Sequence, residues 1–352
     1  MVRTLPLVAG LAVALGTLSA APPEGTVALF DGKTLAGWVN VNCHPDTWTV
    51  KDGEIVTTGK PTGYLRTDKQ YENFELDFDW MHVEKEKMAN SGLFVWGDPL
   101  PAVGTGYTRG IEVQVLINYK PADGWATSHG DLFSIWGAKC TPDRPHPKGL
   151  ERCLPSEERV KGGGEWNHYK VIANDGVIKL HVNGKEVSGV SKCSPRKGYL
   201  ALESEGVECH FKNLHLKELP TTNPKAEDVA KVWEGHVSLF NGLDLAGWTA
   251  AEGTWTATDG VLRPKGTEPL VSAKKFGACE LIFDYKLPAK RVGQTFAVAF
   301  GDAKPWEAEG KANPWKRAVL TRSMDEAATP AEIRITPEPG LELRNIFLRE
   351  LK

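Results

Sequence analysis

The chain has 352 residues, 41 % of them hydrophobic, and carries 42 Lys and Arg against 45 Asp and Glu, for a net charge of −3. A balance this close to neutral, with no long basic run, excludes a clustered phosphate-binding surface and so makes nucleic acid a poor partner. The length admits two domains or one very large sandwich, and 36 Gly with 12 Trp suit a turn-rich β protein that handles sugars.

The chain opens with Arg3, a mostly apolar run Leu5 to Leu18, and the small residues Ser19, Ala20 and Ala21. This pattern reads as a signal peptide over residues 1–21, with cleavage after Ser19 or Ala21, and predicts export to the periplasm or beyond. The run is too short for a membrane anchor, and no later stretch is long and apolar enough to span a bilayer. From Val27 the sequence reads VALFDGKTLAGW, and a close variant, VSLFNGLDLAGW, returns at Val237. The likeness continues in WTVKDGEI against WTATDGVL, in FELDFDW (from Phe74) against CELIFDY (from Cys279), and in FKNLHLKEL (from Phe211) against LRNIFLREL (from Leu343). The second stretch is shorter by about seventy interior residues. Similarity at a fixed register is the mark of a repeated structural unit. The organisation expected is therefore a full module at 24–219, a polar, Pro-containing linker at 220–232 with a short helix over Ala226–Trp233, and a truncated second copy at 233–352.

Within the first module the local signals are β. Trp48–Thr57 is a hairpin about Asp52-Gly53, and Tyr169–Val187 is a meander with turns at Asp175-Gly176 and Asn183-Gly184. Glu75–Trp80 alternates acid with apolar residues, as a half-buried strand does, with Glu75, Asp77 and Asp79 on a solvated face. Trp38, Trp48 and Trp80 read as core. The fold class expected is all-β, a jelly-roll sandwich followed by an abbreviated one. Six cysteines in an exported chain allow disulfides, with Cys140–Cys153 and Cys193–Cys209 as candidate pairs. The spacing around His146 matches no zinc pattern, so no metal site and no cofactor are expected.

The concave face of a curved sheet is where a sugar would lie, and polar residues facing it alternate along the strands. GIEVQVLI (Gly110–Ile117) puts Glu112 and Gln114 on one face of an apolar strand, and HGDLF places His129 beside Asp131. LESEG offers Glu203 and Glu205, and Asn90 precedes the strand Leu93–Trp96. Burying Glu112 without partners would cost several kcal/mol, so its face is either open to water or part of a polar site. Tyr64, Tyr107, Trp125 and Trp136 fall near loops where a ring can stack on a sugar.

Ten pieces in order, LFDGKTLAGW, WTVKDGEIV, GYLRT, FELDFDW, NSGLFV, GIEVQVL, GEWNHYKV, VNGKEV, GYLALESEG and FKNLHLKEL, cover nearly all of Val27–Leu219 and resemble the 3-keto-disaccharide hydrolase domain family. The resemblance implies a concanavalin-like jelly roll and action on glycosides already oxidised at carbon 3. A ketone there acidifies the hydrogen on carbon 2, so a base removes it and an acid helps expel the oxygen on carbon 1. On that reading Glu112 or His129 is the base and Glu203 the acid partner. Arg66, Asn90, Tyr64 and Asp131 would hold the keto-sugar, and Gln114 would bind a hydroxyl. Relatives commonly carry Gln at the position of Glu203. The second copy lacks every one of these strands and is expected to be non-catalytic. The competing readings are a lectin-like glycan-binding module on the same fold and a scaffold-like surface protein; the oligomeric state is not encoded in any pattern found here.

Overall fold

A computed structural model describes residues 23–120, 126–127, 130–290, 294–309, 314–326 and 329–352. The stretch 1–21 read as a signal peptide, Trp125 and His129 lie outside the described residues.

Two antiparallel sheets form the first sandwich. The nine-stranded sheet runs Lys139–Pro142, Lys185–Ser194, Val177–Val182, Asn167–Asn174, Phe74–His82, Cys209–Glu218, Glu54–Thr57 and Trp48–Lys51, with Val27–Ala28 paired alongside Cys209–Glu218. The seven-stranded sheet runs Arg152–Cys153, Leu132–Ile135, Gly110–Ile117, Ala89–Gly97, Tyr199–Ser204, Gly63–Thr67 and Trp38–Val41. Alternation decides what faces inward: Phe74, Leu76, Phe78 and Trp80 from one sheet meet Leu93, Val95, Ile111, Val113 and Val115 from the other. The hairpin turns form as the dipeptides predict. Asp52-Gly53, Asp175-Gly176 and Asn183-Gly184 all have positive φ at both residues, the conformation that two-residue hairpin loops require.

The second sandwich repeats this plan with fewer strands. One sheet is Trp255–Thr258, Val261–Pro264, Glu342–Glu350, Cys279–Lys286 and Lys316–Arg322, with Val237–Ser238 paired to Glu342–Glu350. The other is Trp248–Thr249, Leu270–Phe276, Ala331–Thr336, Ala297–Phe300 and Trp306–Glu307. The repeated AGW motif makes the same bond in both sandwiches. Trp38 Nε1 donates to the Leu29 carbonyl at 2.7 Å, and Trp248 Nε1 to the Leu239 carbonyl at 2.8 Å.

Three expectations are corrected. The helix over Ala226–Trp233 shrinks to one 3₁₀ turn, Ala226–Asp228. Beyond it the linker is extended because the first sandwich offers it partners: Ala230 N–H donates to the Lys197 carbonyl at 2.8 Å, and Gln70 Nε2 donates to the Ala230 and Lys231 carbonyls. The candidate disulfides do not form, and all six cysteines are buried free thiols. Cys193 and Cys209 stand on strands separated by three others in the nine-stranded sheet, far beyond the ~4.4–6.8 Å Cα reach of a disulfide. Cys140 and Cys153 point their sulfurs at the backbone carbonyls of Glu151 and Leu154. Burial pushes the Cys43 thiol up to about 12 and the Cys140 and Cys279 thiols up to about 11. A thiol reagent should therefore react slowly with the native chain and titrate six groups after denaturation; a count of four or two would reveal a bridge.

The acidic face of Phe74–His82 is laced rather than simply solvated. Lys170 donates to Glu75 at 2.7 Å, and His168 lies between Asp79 (2.8 Å) and Asp77 (3.2 Å). Asn213, at a left-handed bulge with φ 54°, also donates to Asp79 at 2.7 Å. These carboxylates raise His168 to about 9. A histidine raised in the folded state stabilises fully below its unfolded value of 6.5 and loses that contribution as pH climbs through 9. Because His168 is half-exposed, His168→Gln should cost no more than about 1 kcal/mol. Melting curves should show that cost at pH 6 and lose it by pH 10.

The sandwiches meet through the seven-stranded sheet of the first. Val41, Tyr64, Phe94 and Ala201 on its outer, concave face pack against Ile282 and Phe347 of the second. The second sandwich thus roofs part of the concave face and leaves the part around Gly110–Ile117 to carry the polar residues.

Candidate active site

Three neighbouring strands build the site. Gly110–Ile117 sends Ile111, Val113 and Val115 into the core, which turns Glu112 and Gln114 to the concave face. Ala89–Gly97 lies beside it, with Phe94 opposite Glu112 and Gly92 opposite Gln114. Tyr199–Ser204 follows, with Leu202 opposite Leu93, and brings Glu203 to the same face. Gly92 is what lets the two acids approach across the intervening strand. A Cβ placed there would sit 3.0 Å from Glu203 Oε2 and 3.1 Å from Glu112 Oε1.

Both carboxyls are nearly out of water, Glu112 at 7 % exposure and Glu203 at 1 %. Burial, then the charge of Glu205, pushes Glu112 up to about 8, against a smaller opposing pull from Arg152. Burial, then Glu112 and Glu205, drives Glu203 well above the carboxylate range. Glu203 Oε2 is buried with no hydrogen-bond partner among the described residues. Desolvation and mutual repulsion thus keep protons on this pair near neutral pH.

Glu205 completes the group from just beyond the strand end, and it is only half-buried. Its two oxygens are acceptors: Asn90 Nδ2 donates to Oε2, and the Tyr107 hydroxyl donates to Oε1 at 2.8 Å. Gln114 Nε2 in turn donates to Asn90 Oδ1 at 2.7 Å, so Gln114, Asn90, Glu205 and Tyr107 form one chain of hydrogen bonds. Tyr107 stacks flat on the half-exposed Trp136, with ring centroids 6.2 Å apart and planes 9° apart. On the other flank Arg152 pairs with buried Asp131 at 2.7 Å, and Asp131 also accepts from Thr127. The Arg152 guanidinium lies 3.5 Å above the ring of Phe133, the residue opposite Glu112.

Of the residues singled out in the sequence, Glu112, Glu203, Asn90 and Gln114 come together here, with the Asp131–Arg152 pair beside them. Arg66 and Tyr64 are placed otherwise. Arg66 is wholly buried, donates to the Pro99 and Thr67 carbonyls, and lies between the rings of Tyr199 and Trp233. Tyr64 is sealed under the second sandwich, edge-on to Phe94. Those are the surroundings of packing residues, because neither presents a surface to a sugar. Glu205 as a member of the acid cluster, Tyr107 as its donor and Arg152 as its cation were not assigned from sequence. The LESEG alternation was the one available signal, since Glu205 shares a face with Glu203.

A cleft of about 970 Å³ between the sandwiches, lined by His44, Trp248 and Lys274 among others, contains none of the three carboxylates. Glu234, His236 and Glu280 also cluster, but Arg349 bonds both acids and His236 Nε2 donates to Glu280, which accounts for their proximity without an ion.

The family model of the 3-keto-alpha-glucoside-1,2-lyase-like domain matches residues 25–217 and 235–317, reaching into both sandwiches. The chain belongs to this family. It is the family that the ten ordered motifs resemble. A family relative, the 3-keto-disaccharide hydrolase of Bacteroides thetaiotaomicron, is 23 % identical over 246 residues, covering 56 % of this chain and 79 % of that protein. Among solved structures, a Parabacteroides distasonis protein described as a glycosyl hydrolase is 24 % identical with a TM-score of 0.43, covering 56 % of this chain and 95 % of that one. A carbohydrate-binding module from Bacillus subtilis is 12 % identical with a TM-score of 0.38, covering 52 % of this chain and 96 % of that one.

Proposed function

We propose that the first sandwich is an exported enzyme that cleaves 3-keto-glycosides by elimination across carbons 1 and 2. The supporting observation is the meeting of Glu112 and Glu203 at Gly92, both buried and holding protons, with the charge of Glu205, an acceptor of two hydrogen bonds, acting on both. Glu205 takes the proton from carbon 2. The electrons of that C–H bond form the enolate of the carbon 3 ketone, and Arg152, the cation whose charge acts on Glu112, stabilises its charge. As the enolate collapses, the bond from carbon 1 to the leaving oxygen breaks, and Glu112 supplies the proton that oxygen needs. The proton on Glu205 exchanges with solvent; water then adds at carbon 1 while Glu205 protonates carbon 2, and Glu112 is reprotonated from the water. The net reaction is hydrolysis. Ordinary glycosidases need two carboxyls flanking an intact acetal; here the ketone does the activating, so a clustered acid group suffices.

The test is incubation of the full chain with a 3-keto-glucoside and with the same glucoside unoxidised, in D₂O. The proposal expects aglycone release and deuterium at carbon 2 from the ketone substrate alone. Binding of both sugars without release would leave a lectin-like module instead.

A further inference from the structure

The second sandwich carries none of the acid cluster, yet its most buried charged group is aimed at the first. Asp284 is completely buried at the seam. It accepts from Arg317 at 2.7 and 2.9 Å, from Asn345 at 2.6 Å, and from the backbone N–H of Gly104 in the first sandwich at 2.9 Å. The same cluster holds the carbonyls of that loop: Arg317 bonds Pro101 at 2.8 Å, Arg344 bonds Gly104 at 3.0 Å, and Asn345 bonds Thr105 at 2.9 Å. Asn345 also meets Asn42 of the first sandwich at 2.6 Å. Four backbone groups between Pro101 and Thr105 are therefore fixed by side chains of the second sandwich. Two residues on is Tyr107, the donor to Glu205. Inside the loop, Thr105 Oγ1 bonds the Tyr107 backbone and Ala102 N–H bonds the Tyr107 carbonyl, so the hold on 101–105 extends to residue 107.

A buried carboxylate is costly unless fully paired; here one of its four bonds goes to the loop's Gly104 N–H and the other three to Arg317 and Asn345, which themselves hold that loop. We propose that the second sandwich is a positioning unit for the active site: through Asp284, Arg317, Arg344 and Asn345 it fixes the 101–105 loop so that the Tyr107 hydroxyl orients Glu205. This rests on the reading of Glu205 as base. It makes Asp284 a positioning residue that acts through Tyr107, and it makes the truncated copy a requirement for turnover rather than an appendage.

The experiment is a double-mutant cycle in the full chain, with Arg344→Gln run beside Asp284→Ala in case the latter fails to fold. On a 3-keto-glucoside, each seam substitution should lower kcat about 10-fold with KM little changed, and Tyr107→Phe should lower it similarly. In the Tyr107→Phe background the seam substitutions should have little further effect, because the path they act through is already gone. Multiplying losses, or an unchanged kcat in folded seam variants, overturns the proposal. Amide hydrogen exchange gives a reading independent of activity. The 101–108 segment should exchange at least 10-fold faster in the seam variants while Gly110–Ile117 stays protected; unchanged exchange also overturns the clamp. A wild-type chain that releases no aglycone, together with faster exchange in the seam variants, would sink the functional reading and leave the loop clamp standing.

Discussion

Glu112→Gln should lower turnover of a 3-keto-glucoside with an alkyl or sugar leaving group by ~10²-fold or more, and lower it far less for a nitrophenyl leaving group. The difference follows from the role assigned to Glu112. A carboxyl raised to about 8 arrives protonated at neutral pH, so it is suited to give a proton to the departing oxygen. A good leaving group does not need that proton. The wild-type kcat should accordingly fall above about pH 8, and a kcat that instead rises towards pH 8 would restore Glu112 to the role of base. The same group sets a stability slope. Its folded-state value lies above its unfolded value of 4.5, so between 4.5 and about 8 the folded chain binds more protons than the unfolded one and stability falls as pH rises. Glu112→Gln removes that titration, and its melting temperature should vary less over this window than that of wild type. A parallel slope in the two proteins would mean the burial cost is borne elsewhere. A pure glycan binder would keep most of its affinity with Gln at this position.

Gly92→Val is expected to be the cleanest way to abolish turnover without unfolding the chain. Gly92 is in ordinary strand conformation, with no positive φ, and Val is a good strand former. The added methyls project to the concave face, where even a single Cβ would crowd the ends of Glu203 and Glu112. The two carboxyls must swing apart, and catalytic geometry is sensitive to displacements of about 1 Å. Turnover should drop by ~10²-fold or more, with Gly92→Ala intermediate and both variants still melting cooperatively. Full activity in a folded Gly92→Val variant would show that the approach of the two acids across this strand is not used.

Much of this was legible in the chain. The Asp-Gly and Asn-Gly turns, the strict alternation in Phe74–Trp80 and the repeated AGW motif each depend on neighbours a few residues away, so local pattern suffices. Glu112 and Glu203 also stood out, because an acid alternating with apolar residues inside an apolar strand is conspicuous. What was hidden depends on strand order. Gly92 looks like any strand glycine until the residues on either side of it are known to be acids. Tyr107 and Glu205 are brought together only by the folded path of the loop after Ala89–Gly97. Arg66 and Tyr64 were read as facing sugar because nothing local reveals that residues far along the chain cover them. The cysteine pairs failed for the same reason: 193 and 209 are close in sequence, yet three strands intervene.

The Asn213 bulge described above has an exact counterpart at Asn345, where φ is 52°. In the first sandwich Asp79 takes bonds from Asn213 and His168 in water; at the matching positions Asp284 takes them from Asn345 and Arg317 at the seam. The same strand bulge therefore faces solvent in one sandwich and holds a neighbour's loop in the other. Asp79 and Asn213 already offer two of the four seam residues on the far side of the first sandwich, with His168 and Lys212 standing where the second has Arg317 and Arg344. For protein engineering, this suggests fusing a further module bearing a Gly104-type loop ahead of this chain and exchanging both His168 and Lys212 for Arg to seat it.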